Sequence, residues 1–238
     1  MDTYNAFIPF GIAHVSTMLI IGVMMFVIPM ALKKVNHRRV LGNARILAAL
    51  LIISELGKPL ISVLVYNNQL NTSLPLHLCG IAAFLTAWTL WCRSYRSFEV
   101  VYFWGIGGGI PAILSPDLLA GFPHPAFFYF FVSHGLILLG VMYATIVFRF
   151  RPSFASVGKA IIATLVLMAV IYPINLLLNS NYMYLLAKPQ ALTLMEFMGQ
   201  WPWYILALTI IGIIVYLLCY LPFLIFGKYE DKNNHQTV

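Results

Sequence analysis

Charge is what this chain has least of. Only 9% of its 238 residues are Asp, Glu, Lys or Arg, against roughly 25% in a soluble domain. Acids are scarcer still, at seven against 14 basic residues. So few charges cannot cover a surface that faces water, and no polar stretch is longer than a loop, so no separate soluble domain fits. Cysteine is scarce too. Cys79, Cys92 and Cys219 are too scattered along apolar segments for a disulfide framework or a zinc site, so no metal centre is expected. Residues 1–10 lack a basic n-region, so the first apolar run reads as a retained helix rather than a cleaved signal peptide.

What remains is apolar. Hydrophobic residues make up 61% of the chain and the mean hydropathy is +0.89. A transmembrane helix needs about 20 mostly apolar residues. Runs of that kind fall at about 11–32, 45–66, 75–92, 99–114, 126–148, 157–178 and 203–226. The expectation is one all-α domain, 1–238, a polytopic membrane protein of about seven helices.

The loops carry the orientation. Lys33, Lys34, Arg38, Arg39, Arg45, Arg93, Arg96, Arg149, Arg151, Lys159, Lys228 and Lys232 all follow odd-numbered runs or flank the same gaps. That is twelve of the 14 basic residues. The loops at 67–74, 115–125 and 179–202 hold only Lys188. By the positive-inside rule the basic side is cytoplasmic, with the N-terminus outside and the C-terminus inside a plasma membrane. The net charge of +7 is therefore topological, and no nucleic-acid partner is expected. Trp201, Trp203 and Tyr204 open the last run at the outer interface, and Trp88 and Trp91 close the third at the inner one, where amphipathic rings prefer to sit. The 179–202 loop, with Tyr182, Tyr184, Leu185, Leu186 and Met195, is apolar enough for an interfacial lid.

Ionisable groups inside a membrane cost about 2.5–3.5 kcal/mol each on insertion scales, so each is a functional candidate. Counting about 1.5 Å per residue from the outer helix ends, His14, Glu55, Lys58, Cys79, His134 and Asn175 all lie in the outer half. The inner half shows no comparable set. Each has a plainer explanation. Glu55 and Lys58 are three apart, face one another on a helix and can neutralise each other. His14 can snorkel to the interface. Asn175 can satisfy backbone freed by Pro173. Asp117 can cap a short turn after Pro116. Gly105-Ile106-Gly107-Gly108-Gly109 before Pro111 has the small-residue spacing of close helix packing, with a kink as the alternative. It lacks the strand and lysine of a phosphate loop. The sequon Asn71-Thr72-Ser73 lies too near the membrane to argue for glycosylation.

Cys79 stands out by its setting, Leu74-Pro75-Leu76-His77-Leu78-Cys79-Gly80. It lies just inside a helix that opens after Pro75, where unpaired N–H groups stabilise a thiolate and can receive an oxyanion. His77, two residues away, does not face it on a helix. A base from another helix fits better, and His134 is the deepest histidine. Cys92 and Cys219 read as small hydrophobes.

The segments Leu74 to Cys79, Gly107 to Asp117 and Phe131-Val132-Ser133-His134-Gly135 occur in a distinctive order. They continue with Asn179-Ser180-Asn181-Tyr182-Met183, Lys188-Pro189 and Gly199-Gln200-Trp201-Pro202-Trp203-Tyr204. Together with Glu55-Leu56-Gly57 this set resembles the YwaF-like bacterial integral membrane proteins, related to eukaryotic transmembrane protein 164, from the second helix to the seventh. The resemblance implies a coenzyme-A-independent phospholipid acyltransferase. A membrane cysteine, here Cys79, would carry the acyl group and a later histidine, here His134, would assist it. The polar and interfacial residues Glu55, Lys58, His77, His14, Asn175 and Trp203, read from depth and residue type, are the further candidates to support the site or bind substrate. Phospholipids and lysophospholipids would be the partners, and no cofactor is needed. The rival reading is a proton- or ion-coupled transporter using Glu55, Lys58 and His134. A non-catalytic lipid-binding scaffold is the third.

Overall fold

The computed structural model describes residues 5–64, 69–191 and 193–234, with side chains excepted at 37 and 226–234. The expected end of the second run at 66, and the side chains of Lys228 and Lys232, lie outside the described residues. Among those residues seven main helices form: α1 (Ile12–Leu32), α2 (His37–Leu64), α3 (Leu78–Cys92), α4 (Tyr95–Leu114), α5 (Pro125–Ile146), α6 (Phe154–Leu178) and α7 (Trp203–Asn234). Six are long and apolar enough to cross a membrane. The other is α3, with 15 residues. Among the described residues there is no strand; Ala6 and Ala120 share an isolated bridge. The protein is an all-α polytopic membrane protein, as its composition requires.

Local sequence sets the helix ends. His124 accepts from the Ala126 N–H and Pro125 opens α5, a position where the missing proline N–H is not needed. Ser153 and Ser156 form a reciprocal capping box at the start of α6. His77 precedes α3, and Arg93 ends it in the left-handed region, φ +50°.

α5 is the centre. It packs against α1, α2, α3 and α4, and half of its most apolar window is buried, against 11% for α1 and 6% for α7. A π-helical segment, Trp104–Gly108, interrupts α4. A Cβ on Gly105 would lie 2.6 Å from Val141 of α5, and one on Gly107 would lie 3.0 Å from Tyr216 of α7. The glycines serve close packing, the first of their two readings, and a π-helical turn runs through them.

The two ends of the bundle differ. One end is basic and simply built: Tyr143 donates to the Val40 carbonyl at 2.6 Å, and Tyr95 to the Arg151 carbonyl at 2.7 Å. The other end is a knot of loops. There Tyr182 donates to the Asn71 carbonyl (2.8 Å) and accepts from the Leu74 N–H (2.9 Å). Asn71 donates its amide to the Leu178 carbonyl at 2.6 Å, so the sequon asparagine is part of the fold.

Two expectations fail in this knot. Asn175 does not repair the backbone around Pro173. It is fully buried, donates to the Tyr182 carbonyl (2.9 Å), and accepts from the Tyr182 N–H (2.7 Å) and the Ser180 hydroxyl (3.0 Å). An amide with two donors and an acceptor fixes a reversing loop better than it mends a helix. Asp117 does not cap its own turn either. Its carboxylate accepts from the Tyr184 hydroxyl at 2.7 Å and the Ala191 N–H at 3.2 Å, pinning the 179–191 loop from above α4. Tyr182 and Leu185 are buried against Leu74, Leu76 and Ile81, so this loop is a packed cover over the start of α3.

The basic half is not empty of buried charge. Glu99 is 5% exposed, accepts from Lys159 at 2.6 Å and from Ser156 at 2.8 Å. Its position at the edge of an apolar run hid it from the sequence.

Candidate functional site

Cys79 is the second residue of α3 and is half-buried. The first backbone N–H of α3 with a helical partner is that of Ile81, which donates to the His77 carbonyl at 3.2 Å. The N–H groups of Cys79 and Gly80 precede it, in the turn that carries the sulfur. The opening turn therefore offers donors to the sulfur and to any negative charge developing next to it.

Glu55 of α2 comes up behind this turn. It is 2% exposed, and its Oε1 accepts from the Ser133 hydroxyl of α5 at 2.6 Å. That length falls in the range for a hydroxyl bound to a carboxylate, about 2.5–2.7 Å. Its Oε2 has no hydrogen-bond partner among the described residues. It faces Gly80, where a Cβ would come within 3.1 Å of it and 2.7 Å of the Pro75 carbonyl oxygen. Glycine is what lets the carboxylate and the Pro75–His77 turn both reach α3.

The expected Glu55–Lys58 pair does not form. Lys58 is exposed, and no ion pair joins it to Glu55 among the described residues. Three residues along a helix is about 60° round its axis. That rotation takes Glu55 into the α2–α3–α5 seam and Lys58 out of it. Ser133 then supplies the bond that Lys58 was expected to give. Glu55 thus meets Gly80 of α3 and Ser133 of α5, so residues of α2, α3 and α5 converge here.

The histidines are separated by what their ring nitrogens do. A carbonyl can only accept, and a backbone N–H can only donate, so each contact fixes a tautomer. His14 is 1% exposed, not snorkelling. Its Nδ1 accepts from the Phe10 N–H at 2.9 Å and its Nε2 donates to the Ile113 carbonyl at 2.8 Å. Both nitrogens are committed, Nδ1 to the backbone that opens α1 and Nε2 to holding α1 to α4. His77 accepts from the Met183 N–H through Nδ1 at 3.2 Å, so its proton sits on Nε2 and its lone pair is taken. Tyr182 and Tyr184 pack on its ring, each with centroids 5.2 Å away. His124 spends Nδ1 on its helix cap. His134 differs. Its Nδ1 donates to the Phe130 carbonyl at 2.8 Å, and Phe130 stacks on it at 4.2 Å. Nε2 is left as the unprotonated nitrogen, with no hydrogen bond among the described residues.

The covering loop completes the site. Met183 and Tyr184 are both left-handed, φ +58° and +54°, conformations that cost non-glycine residues about 1–3 kcal/mol. Burial and the neighbouring Asp117 carboxylate hold the Tyr184 phenol far above its ordinary pKa, so it remains a donor. Tyr204 donates to the Tyr184 carbonyl at 2.6 Å. Trp203 stands outside this arrangement, 68% exposed. Sequence reasoning missed Ser133 and Tyr184. Ser133 had one signal, its position beside His134; Tyr184 had none beyond its membership of an apolar loop.

The model of the TMEM164 family matches residues 9–220. The chain belongs to the TMEM164 family. That match takes in all the elements that build the site, from His14 on α1 to Tyr204 on α7. No curated protein and no solved structure matches the chain, so the chemistry of this family member rests on its own geometry.

Proposed function

We propose that this TMEM164-family protein is a membrane lipid transacylase that works through a thioester on Cys79. The observation that carries the reading is the tautomer of His134. Among the histidines whose rings are described, it alone keeps an unengaged basic nitrogen, and α5, which carries it, packs on α3, which carries Cys79.

The steps balance without a cofactor. His134 Nε2 takes the thiol proton, and the thiolate attacks the ester carbonyl of a phospholipid. The N–H groups opening α3 steady the oxyanion. The C–O bond breaks, and His134 returns its proton to the departing lysophospholipid oxygen. A lysolipid or other acceptor hydroxyl then gives its proton to His134 and attacks the thioester. The C–S bond breaks and the thiol is restored. This is ping-pong nucleophilic catalysis. The packed 179–191 cover limits water, which favours transfer over hydrolysis. With the basic end cytoplasmic, the site serves the outer leaflet of the cell membrane.

The test is acyl labelling. Purified protein incubated with phospholipid carrying a labelled acyl chain gains hydroxylamine-sensitive label, and Cys79→Ser loses it. Label retained in Cys79→Ser refutes the nucleophile. His134→Ala slows labelling by about 10²–10⁴, the usual contribution of a positioned base.

A further inference from the structure

At the basic end, away from Cys79, a cavity of about 490 Å³ opens between the ends of α1 and α5. It is lined by Met30, Lys33, Ile146, Arg149 and Arg151. No acid lines it. Among the described residues the ion pairs are Lys159–Glu99 and Lys188–Glu196, so none of these three cations is neutralised. Only Arg151 has an evident structural duty. Its guanidinium donates to the Thr145 carbonyl at 2.7 Å and the Phe150 carbonyl at 3.3 Å, closing the end of α5. Lys33 and Arg149 have no such bonds among the described residues, and Arg149 is held in the left-handed region, φ +59°.

The walls differ in kind. Met30 and Ile146 are apolar, and Met30 continues the exposed face of α1 that includes Val23, Met24 and Val27. α1 packs on α5 and leaves the rest of its surface open. The cavity thus brings three cations together with apolar side chains, one of which belongs to an exposed apolar face of a membrane-spanning helix. A free anion would use the first property only; a lipid uses both. We propose that this cavity binds the headgroup phosphate of an anionic phospholipid, with its acyl chains along α1. Basic pockets between transmembrane helices take such headgroups, each Lys or Arg near an anionic membrane surface contributing about fivefold in affinity.

The experiment titrates the full-length protein by native mass spectrometry with phosphatidylglycerol, phosphatidylcholine and inorganic phosphate in separate arms. Wild type binds phosphatidylglycerol at least about tenfold more tightly than phosphatidylcholine. Lys33→Gln with Arg149→Gln weakens phosphatidylglycerol by about 25-fold, the product of two fivefold losses, and leaves phosphatidylcholine unchanged. Arg151 is kept, so α5 stays closed. The matched control, Lys34→Gln with Arg38→Gln, removes equal charge from the same end and changes binding less than about twofold. Equal losses in the two double variants would reduce the effect to diffuse surface charge and overturn the site. Equal affinity of wild type for the two lipids would overturn it too. So would displacement of phosphatidylglycerol by millimolar inorganic phosphate.

Discussion

Ser133→Ala tests the buried carboxylate most directly. Glu55 is almost fully buried and has one hydrogen bond, the 2.6 Å bond from Ser133. A bond to a charged group contributes about 1.5–3 kcal/mol, and a neutral one about 0.5–1.5. Removing the hydroxyl leaves both carboxylate oxygens without a partner among the described residues, in a buried seam. The loss should therefore approach the upper range, about 2–3 kcal/mol. For a chain of this length 1 kcal/mol shifts the unfolding midpoint by about 2–4 °C, which gives a fall of about 4–12 °C. In a Glu55→Gln background the same serine change should cost only about 1 kcal/mol, because the desolvated charge is gone. The two changes should then be coupled by about 1–2 kcal/mol. Tryptophan-fluorescence melting of the four proteins in one detergent measures this cycle. Ser133→Ala melting within about 1 °C of its parent in both backgrounds would show that the carboxylate is satisfied some other way and refute its dependence on Ser133.

Asn175→Ala removes three hydrogen bonds, worth about 2–4 kcal/mol together. Protease cleavage within 179–191 should rise at least tenfold while cleavage at the basic end does not change. Gly105→Ala brings a Cβ to 2.6 Å from Val141 and should destabilise by about 1–3 kcal/mol through overpacking; a midpoint equal to wild type contradicts the close α4–α5 approach. The raised phenol pKa of Tyr184 means the folded protein favours the neutral ring. Its contribution is complete below the unfolded value of about 10 and is lost as pH climbs above it, so amide-exchange protection of the 182–191 cover should hold to about pH 9.5 and then fall. Tyr184→Phe should remove that pH step. Reporter fusions should put residues 33–45 in the cytoplasm and 179–202 outside; the reverse labelling would move the proposed chemistry to the inner leaflet.

The spans were legible because membrane insertion reduces to length and hydropathy, both additive along a chain. That was enough for α1, α5 and α6 within a few residues and for the start of α7; α7 runs eight residues past its expected end. Cys79 could be placed at a helix start because Pro75 and the apolar run after it mark the boundary locally. Partner choice was not legible. Glu55 and Lys58 obey the three-residue rule of an isolated helix, yet α3 and α5 pack on one side of α2 and draw only Glu55 inward. The histidines looked alike in sequence, and only contacts from Phe10, Met183 and Phe130 set which nitrogen of each stays basic. Asn175 and Asp117 were read against their own neighbours, whereas their bonds go to a loop that folds back over them. Local rules described what a residue can do, and packing decided which donor reached it.

The shortness of α3 has a consequence for the host bilayer. Fifteen residues make a rod of about 22 Å, some 8 Å less than a typical hydrocarbon core. The helices beside it are long enough to ignore that difference; α3 is not, and the Pro75–His77 turn must sit below the level of the lipid carbonyls or the membrane must dimple to meet it. Either adjustment costs more as acyl chains lengthen. Bilayer thickness therefore acts on the one helix that carries the thiol, and a series of host lipids from short to long chains should tune this protein without touching any of its residues.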